Sequence, residues 1–217
     1  RYLVDKDCEV NILTFEDIDG KKAFWHTTSH ILAQAVKRLY PNVKLAIGPA
    51  TNEGFYYDFD RETAFTKEEI DEIQNEMKKI VKENFPIEKF EMSRQEALQL
   101  MKEKDEPDKI ELINDLSDNS VISFYRQGEF EDLCAGPHLM NLKSIKAIKL
   151  TSDKGSSGAY WRGDEKNKML NRIYGISFPK ASELETYLKN REEALKRDHN
   201  KRGRELKYFT TAEVIGQ

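Results

Sequence analysis

From Thr66 onward the apolar residues Ile70, Ile73, Met77, Ile80 and Val81 recur at the three- and four-residue spacing of one helical face. Thr66 and Glu69 supply a capping box at the start, and Pro86 closes the run. The same punctuation appears at Ser93 and Glu96, ahead of Ala97, Leu98 and Met101. Pro107 is suited to open a third, short helix carrying Lys109. Upstream, a helix is predicted over 25–39, ending before Pro41-Asn42. The run CEVNILTFED (8–17) alternates like a strand, with Asp19-Gly20 as its closing turn. LAIGPATNEGFYYDFD reads as two short extended segments around Gly, Pro and Asn turns. After the helices come VISFYRQ, SIKAIKL, SGAYW and LNRIYGISF, all of strand composition, and then a long helix over 181–204. There is no internal repeat. Helices followed by a group of strands predict an α+β fold, an antiparallel sheet packed with helices.

Composition narrows the class. The 217 residues are 38% hydrophobic and 34% charged, with 11 Phe, 9 Tyr and 2 Trp, enough to fill a core. No apolar run approaches the ~18 residues of a membrane span. The two cysteines, Cys8 and Cys134, provide no disulfide framework, which fits a reducing, cytoplasmic setting. The first residue is Arg1, with no leader peptide after it, as expected of a fragment. A net charge of −4 argues mildly against nucleic acid, yet KNREEALKRDHNKRGRELK near the end is locally basic.

Four residues stand out as candidate chemistry. His26 and His30 are four apart in HTTSH, on a helical face shared with Ala33 and Lys37. That face lies nearly opposite Ile31, Leu32, Ala35, Val36 and Leu39, so the histidines are expected off the core-packing side. Cys134 and His138 flank the turn Ala-Gly-Pro, and Asp132 shares a side with Cys134 if the segment is extended. By ligand type, His26, His30, Cys134 and His138 suit tetrahedral zinc. A zinc-protease helix needs Glu beside its first His; Thr27 stands there, which excludes that chemistry. In AYWRGDEKNKMLNRIYG, Tyr160 and Trp161 can stack on bases while Arg162, Lys168 and Arg172 meet phosphate; the plainer reading is a hairpin with a solvated turn.

Taken in order, HTTSHILAQAVKRLYP, AIGPATNEGFYYDFD, DLCAGPHL, SGAYWRGDEKNKMLNRIYG and KRDHNKRGREL resemble the N-terminal region of bacterial-type threonyl-tRNA synthetases. The resemblance implies four parts. Residues 1–22 correspond to the tail of a small ubiquitin-like (TGS) domain, 23–180 to an editing domain of the type shared with alanyl-tRNA synthetases, 181–205 to a linker helix, and 206–217 to the start of a truncated catalytic domain. ATP, a structural or catalytic zinc and the dimer contact belong in that family to the catalytic core, which lies outside this sequence. The fragment is thus expected to be a monomer without ligase activity. Ala135 departs from the Arg that the family often carries between the Cys and Gly of this motif.

The implied activity is hydrolysis of serine mischarged on tRNA(Thr). Serine lacks one methyl of threonine, and such a group discriminates by only about 1–3 kcal/mol, so a second, size-excluding site is needed. The resemblance assigns His26, His30, Lys109, Cys134 and His138 to catalysis, with His26 and Lys109 handling water and the leaving ribose oxygen. It gives Asp132 the substrate ammonium, and Tyr57 and Gly48 the pocket wall or terminal adenosine. It further implies that editing uses no metal, against the zinc that the ligand types alone leave open. The competing classes are a zinc-stabilised, non-catalytic RNA-binding module and a small zinc-dependent ester or amide hydrolase.

Overall fold

The computed structural model describes residues 5–118 and 120–197. Helix α1 (Ile18–Leu39) is followed by β1 (Lys44–Leu45), β2 (Phe55–Asp60), α2 (Lys67–Glu83), β3 (Ile87–Met92), α3 (Arg94–Glu103) and α4 (Pro107–Asp115). Then come β4 (Ile122–Gln127), β5 (Phe130–Leu133), β6 (Ala147–Leu150), β7 (Ser157–Tyr160), β8 (Met169–Phe178) and α5 (Ala181–Arg197). Two antiparallel sheets form. One has the order β1-β2-β8-β6, with β7 also on β8; the other is β3-β4-β5. The expected α+β class holds.

Local signals account for several boundaries. Thr66 and Ser93 each accept from the backbone N–H three residues on, and Glu69 and Glu96 return the bond, so both capping boxes close. Asn84 ends α2 in the left-handed conformation, and Pro107 occupies the first turn of α4. Gly128 has φ +59°, which the tight β4–β5 turn requires at that position.

Three expectations fail. Residues 8–17 form no strand; Thr14 and Asp17 instead make a turn, and α1 starts at Ile18, seven residues earlier than the predicted start at 25. The boundary drawn at 22/23 therefore falls inside a helix. The last helix is described only to Arg197, so 198–204, the basic tail of the segment and the presumed catalytic-domain start lie outside the described residues.

The third failure shapes the site. Every residue from Thr27 to Val36 is buried, so α1 has no solvent face there. Its apolar side joins the main core with β2, β8 and α2. Its other side meets the second sheet: Gln34 exchanges hydrogen bonds with Gln127 of β4, and His30 stacks edge-on near Phe130 of β5. The histidine face is a packing face after all. A smaller core of Ala97, Met101, Ile113, Ile122 and Phe124 holds α3 and α4 on the second sheet.

Candidate active site at the seam of the two sheets

Four elements bring the site together. α1 presents His26 and His30, β5 presents Asp132, the chain leaving β5 presents Cys134 and His138, and the first turn of α4 presents Lys109. The donor atoms of His26, His30, Cys134 and His138 all lie within 4.8 Å of one another. Cys134 Sγ is 3.4 Å from His26 Nε2 and 3.2 Å from His138 Nε2, and the Gly136 N–H donates to the sulfur at 3.2 Å.

Beneath this cluster sits a buried ion pair. Lys109 Nζ is 2.6 Å from Asp132 Oδ1 and donates to Tyr57 Oη at 3.2 Å. Tyr57 donates to Asp132 Oδ2 at 2.7 Å, and His30 Nε2 is 3.8 Å from the same oxygen. On its far side the pair borders a cavity of about 380 Å³ that Phe130, Met101 and Gln34 also line. Glu106 anchors the start of α4 by accepting from Leu45 N–H at 2.6 Å and Lys37 Nζ at 2.8 Å.

Burial sets the protonation of the cluster. It holds the pKa of His26 below that of a free imidazole, with a lesser upward pull from the Pro137 carbonyl. It holds His30 far below, and His26 and Lys109 add like-charge repulsion. His138 is depressed by burial and by repulsion from His30 and His26, with Asp132 pulling the other way. Burial pushes the Cys134 thiol up to about 11. At neutral pH the site is therefore three neutral imidazoles and an undissociated thiol, which makes it a set of proton acceptors around a poor nucleophile.

Thr27, inside HTTSH, organises this set. Its hydroxyl has one proton, which goes to the Ala23 carbonyl at 2.8 Å. It accepts from Leu139 N–H at 2.9 Å, and at 3.3 Å from His138 Nδ1 it can again only accept. His138 thus carries its proton on Nδ1 and turns the Nε2 lone pair toward Cys134. Thr27→Val keeps the shape and removes the acceptor. It should cost about 1–3 kcal/mol in urea melts, and nitrogen NMR should show His138 losing its Nδ1–H preference. An unchanged tautomer would remove Thr27 from this role.

Several expected roles do not fit the geometry. Tyr57 is fully buried, with its hydroxyl committed to Asp132, so it cannot meet a terminal adenosine. Gly48 lies against the Tyr57 ring, where a Cβ would collide with it, and its carbonyl accepts from Ser29 Oγ at 2.5 Å; it packs the wall. Both oxygens of Asp132 already have donors, so it positions Lys109 before it meets any substrate. Trp161 is buried with Ala46 and Leu170 and donates to Glu111, so it is no stacking platform, whereas Tyr160 remains exposed. Arg162 pairs with Glu111 and Asp115, Lys168 with Asp60 and Asp108, and Arg172 with Asp58 in a two-pronged bond. The plainer hairpin reading describes this run better.

Thr27, Tyr125 and Glu106 were not foreseen. Tyr125 lies edge-on to His138 with centroids 4.4 Å apart, and its register partner is Asp132. Recognising EFEDL as the strand beside VISFYRQ would have placed it.

Comparison with known proteins agrees with this architecture. A family model described as "Threonyl and Alanyl tRNA synthetase second additional domain" matches residues 122–174. That stretch holds Asp132, Cys134 and His138 but not His26, His30 or Lys109. A threonine–tRNA ligase of Clostridium botulinum (strain Alaska E43 / Type E3) is 60% identical over 217 residues, covering 100% of this chain and 33% of that protein. One from Clostridium perfringens (strain SM101 / Type A) is 59% identical with the same coverage. One from Caldanaerobacter subterraneus subsp. tengcongensis is 61% identical over 207 residues, 95% of this chain and 32% of the relative. The chain spans about a third of the length of these curated relatives. Along its whole length, the chain belongs to the threonine–tRNA ligase family, as a portion that includes the second additional domain.

Proposed function

We propose that this chain is the editing region of a threonine–tRNA ligase and hydrolyses serine esterified to the 3′ end of tRNA(Thr). One observation carries the reading: neutral imidazoles converge within 4.8 Å of a thiol, directly above a buried Lys109–Asp132 pair. A neutral imidazole there can take a proton from the attacking water, becoming imidazolium, and Lys109 supplies a nearby cation for the developing oxyanion. His26 is half-buried and its pKa is the least depressed of the three, so it is the base of choice. His30, Cys134 and His138 hold the water. Cys134, undissociated at neutral pH, is not the attacking group, so the reaction is a direct attack by water on the ester carbonyl, with the ribose oxygen leaving. Threonine ester is spared because its extra methyl must be fitted among these side chains. The division of the chain into four parts, with the first ending before α1 rather than at 22, the tRNA partner and the cytoplasmic setting are parts of the same proposal.

The experiment is deacylation of seryl- and threonyl-tRNA(Thr) by this chain with and without chelator. Serine ester should be cleaved faster, chelator should leave the rate intact, and His26→Ala should slow it by about a hundredfold or more. Equal rates on both esters would sink the reading.

A second reading has an observation of its own. The Sγ-to-Nε2 separations of 3.4 and 3.2 Å are near the edge, about 3.5 Å, of a tetrahedral site with Zn–N and Zn–S bonds. His26, His30, Cys134 and His138 would hold the ion, and Zn²⁺ would supply Lewis-acid activation of water. An ammonium beside a dication is unfavourable, but Asp132 neutralises Lys109 at 2.6 Å. Activity lost to chelator and restored by zinc would select this reading.

A further inference from the structure

We propose that Lys78, Lys82, Lys143 and Lys146 form the surface that receives the phosphate backbone of the RNA. This rests on the editing reading for the identity of its partner. The four side chains are exposed and surround a hollow of about 690 Å³ between the end of α2, the chain entering β6, and Leu184 of α5. No carboxylate lines the hollow; its floor is Val81, Ile145, Ala147 and Ile148. Among the described residues none of the four ammonium groups is paired with an acid.

Exposed lysines without an acid also occur at Lys22, Lys102, Lys154 and Lys166; what distinguishes this group is that four of them share one hollow, while other cations are drawn to acids. Arg38 is shared by Glu76, Glu83 and Glu129, and Lys104 and Arg126 by Glu131. Arg162, Lys168 and Arg172 are neutralised as described above. A chain of net charge −4 has acids to spare, yet none stands here. Lys78 and Lys82 are four apart on α2, an arrangement that costs a helix a few tenths of a kcal/mol. Lys82 gains something back from the helix C-terminus; Lys78 does not. Four like charges kept together against their mutual repulsion are what a polyanion requires.

Position supports the same partner. Lys143 follows His138 by five residues, so its Cα, at one edge of the patch, lies within about 18 Å of that of His138. Met140, 84% exposed, lies between the two in sequence. A few unpaired nucleotides cover that distance, so a stem held on the lysines delivers its 3′ end to the site. In the 160–172 run, by contrast, Arg162, Lys168 and Arg172 are already engaged by acids, and among its described cations only Lys166 has no acid partner.

The test is binding of a short RNA hairpin with an unpaired 3′ tail, followed by fluorescence anisotropy at several salt concentrations. The wild-type chain should show affinity that falls steeply with salt. The variant K78Q/K82Q/K143Q/K146Q should bind about tenfold or more weakly, with a log–log salt slope shallower by about 3. The pairs K78Q/K82Q and K143Q/K146Q should each give about half of that change, which guards against a fold defect in the quadruple variant. Thermal melts and hydrolysis of a small serine ester should be unaffected. Wild-type affinity and slope in the quadruple variant would overturn the proposal. So would a wild-type chain that binds polyglutamate as tightly as the hairpin. Absent ester hydrolysis with lysine-dependent RNA binding would instead count against the editing reading alone.

Discussion

Lowering the pH from 7 to 5 should destabilise this chain by several kcal/mol. His26, His30 and His138 all have folded pKa values depressed by burial. In the unfolded chain each titrates near 6.5. Below that pH the unfolded state binds more protons, so the stability these residues contribute is complete above about 6.5 and is lost as pH falls toward their folded values. Each histidine costs at most about 1.4 kcal/mol per pH unit, and the three together about 4, against a total stability of about 5–15. Glu106, Asp58 and Asp108, raised by burial, give a small opposite contribution only once carboxylates begin to protonate. Cys134 acts at the other end, where stability should fall as pH rises above the free-thiol value toward about 11. Urea melts at pH 7, 6 and 5 measure this, and an unchanged midpoint would mean that the cluster is not buried as described.

Lys109→Met should cost about 3–5 kcal/mol, the loss expected when one member of a buried pair is removed. Asp132 would keep the Tyr57 hydroxyl and the more distant His30, but no cation at contact. Asp132→Asn should cost a similar amount by stranding the ammonium. The double variant should be less damaged than the sum of the two, because no unpaired charge is left inside. A double-mutant cycle in urea reports the coupling, and additive losses would show that the two groups do not depend on each other. All three variants should lose ester hydrolysis.

Much of this fold is legible in the sequence because its signals are local. Capping boxes at Thr66 and Ser93, Pro107 at a helix start, and runs of strand composition each act within a few residues. The missed strands are β3 and β5. IEKFEM and FEDL carry charges on positions that face solvent or meet cations from elsewhere, so they lack the apolar alternation that marks a strand. The start of α1 was obscured by Asp19-Gly20, a turn signal that here lies inside the first turns of a helix. The site residues themselves were found by type and spacing. Their setting was not, because it depends on partners far along the chain. Lys168 meets Asp60 and Asp108, Trp161 meets Glu111, and His30 meets Asp132. A periodicity read along α1 reports one core; it carries no mark of the second sheet that covers its other side.

That shared helix constrains how the chain can diverge. A helix with one wet side accepts drift there while its dry side is kept. From Thr27 to Val36 there is no wet side, so a changed residue on either flank has to be matched by a neighbour in whichever sheet it touches. Descendants of this sequence can therefore change exposed positions away from the site singly, while this segment moves only in step with two separate sets of partners.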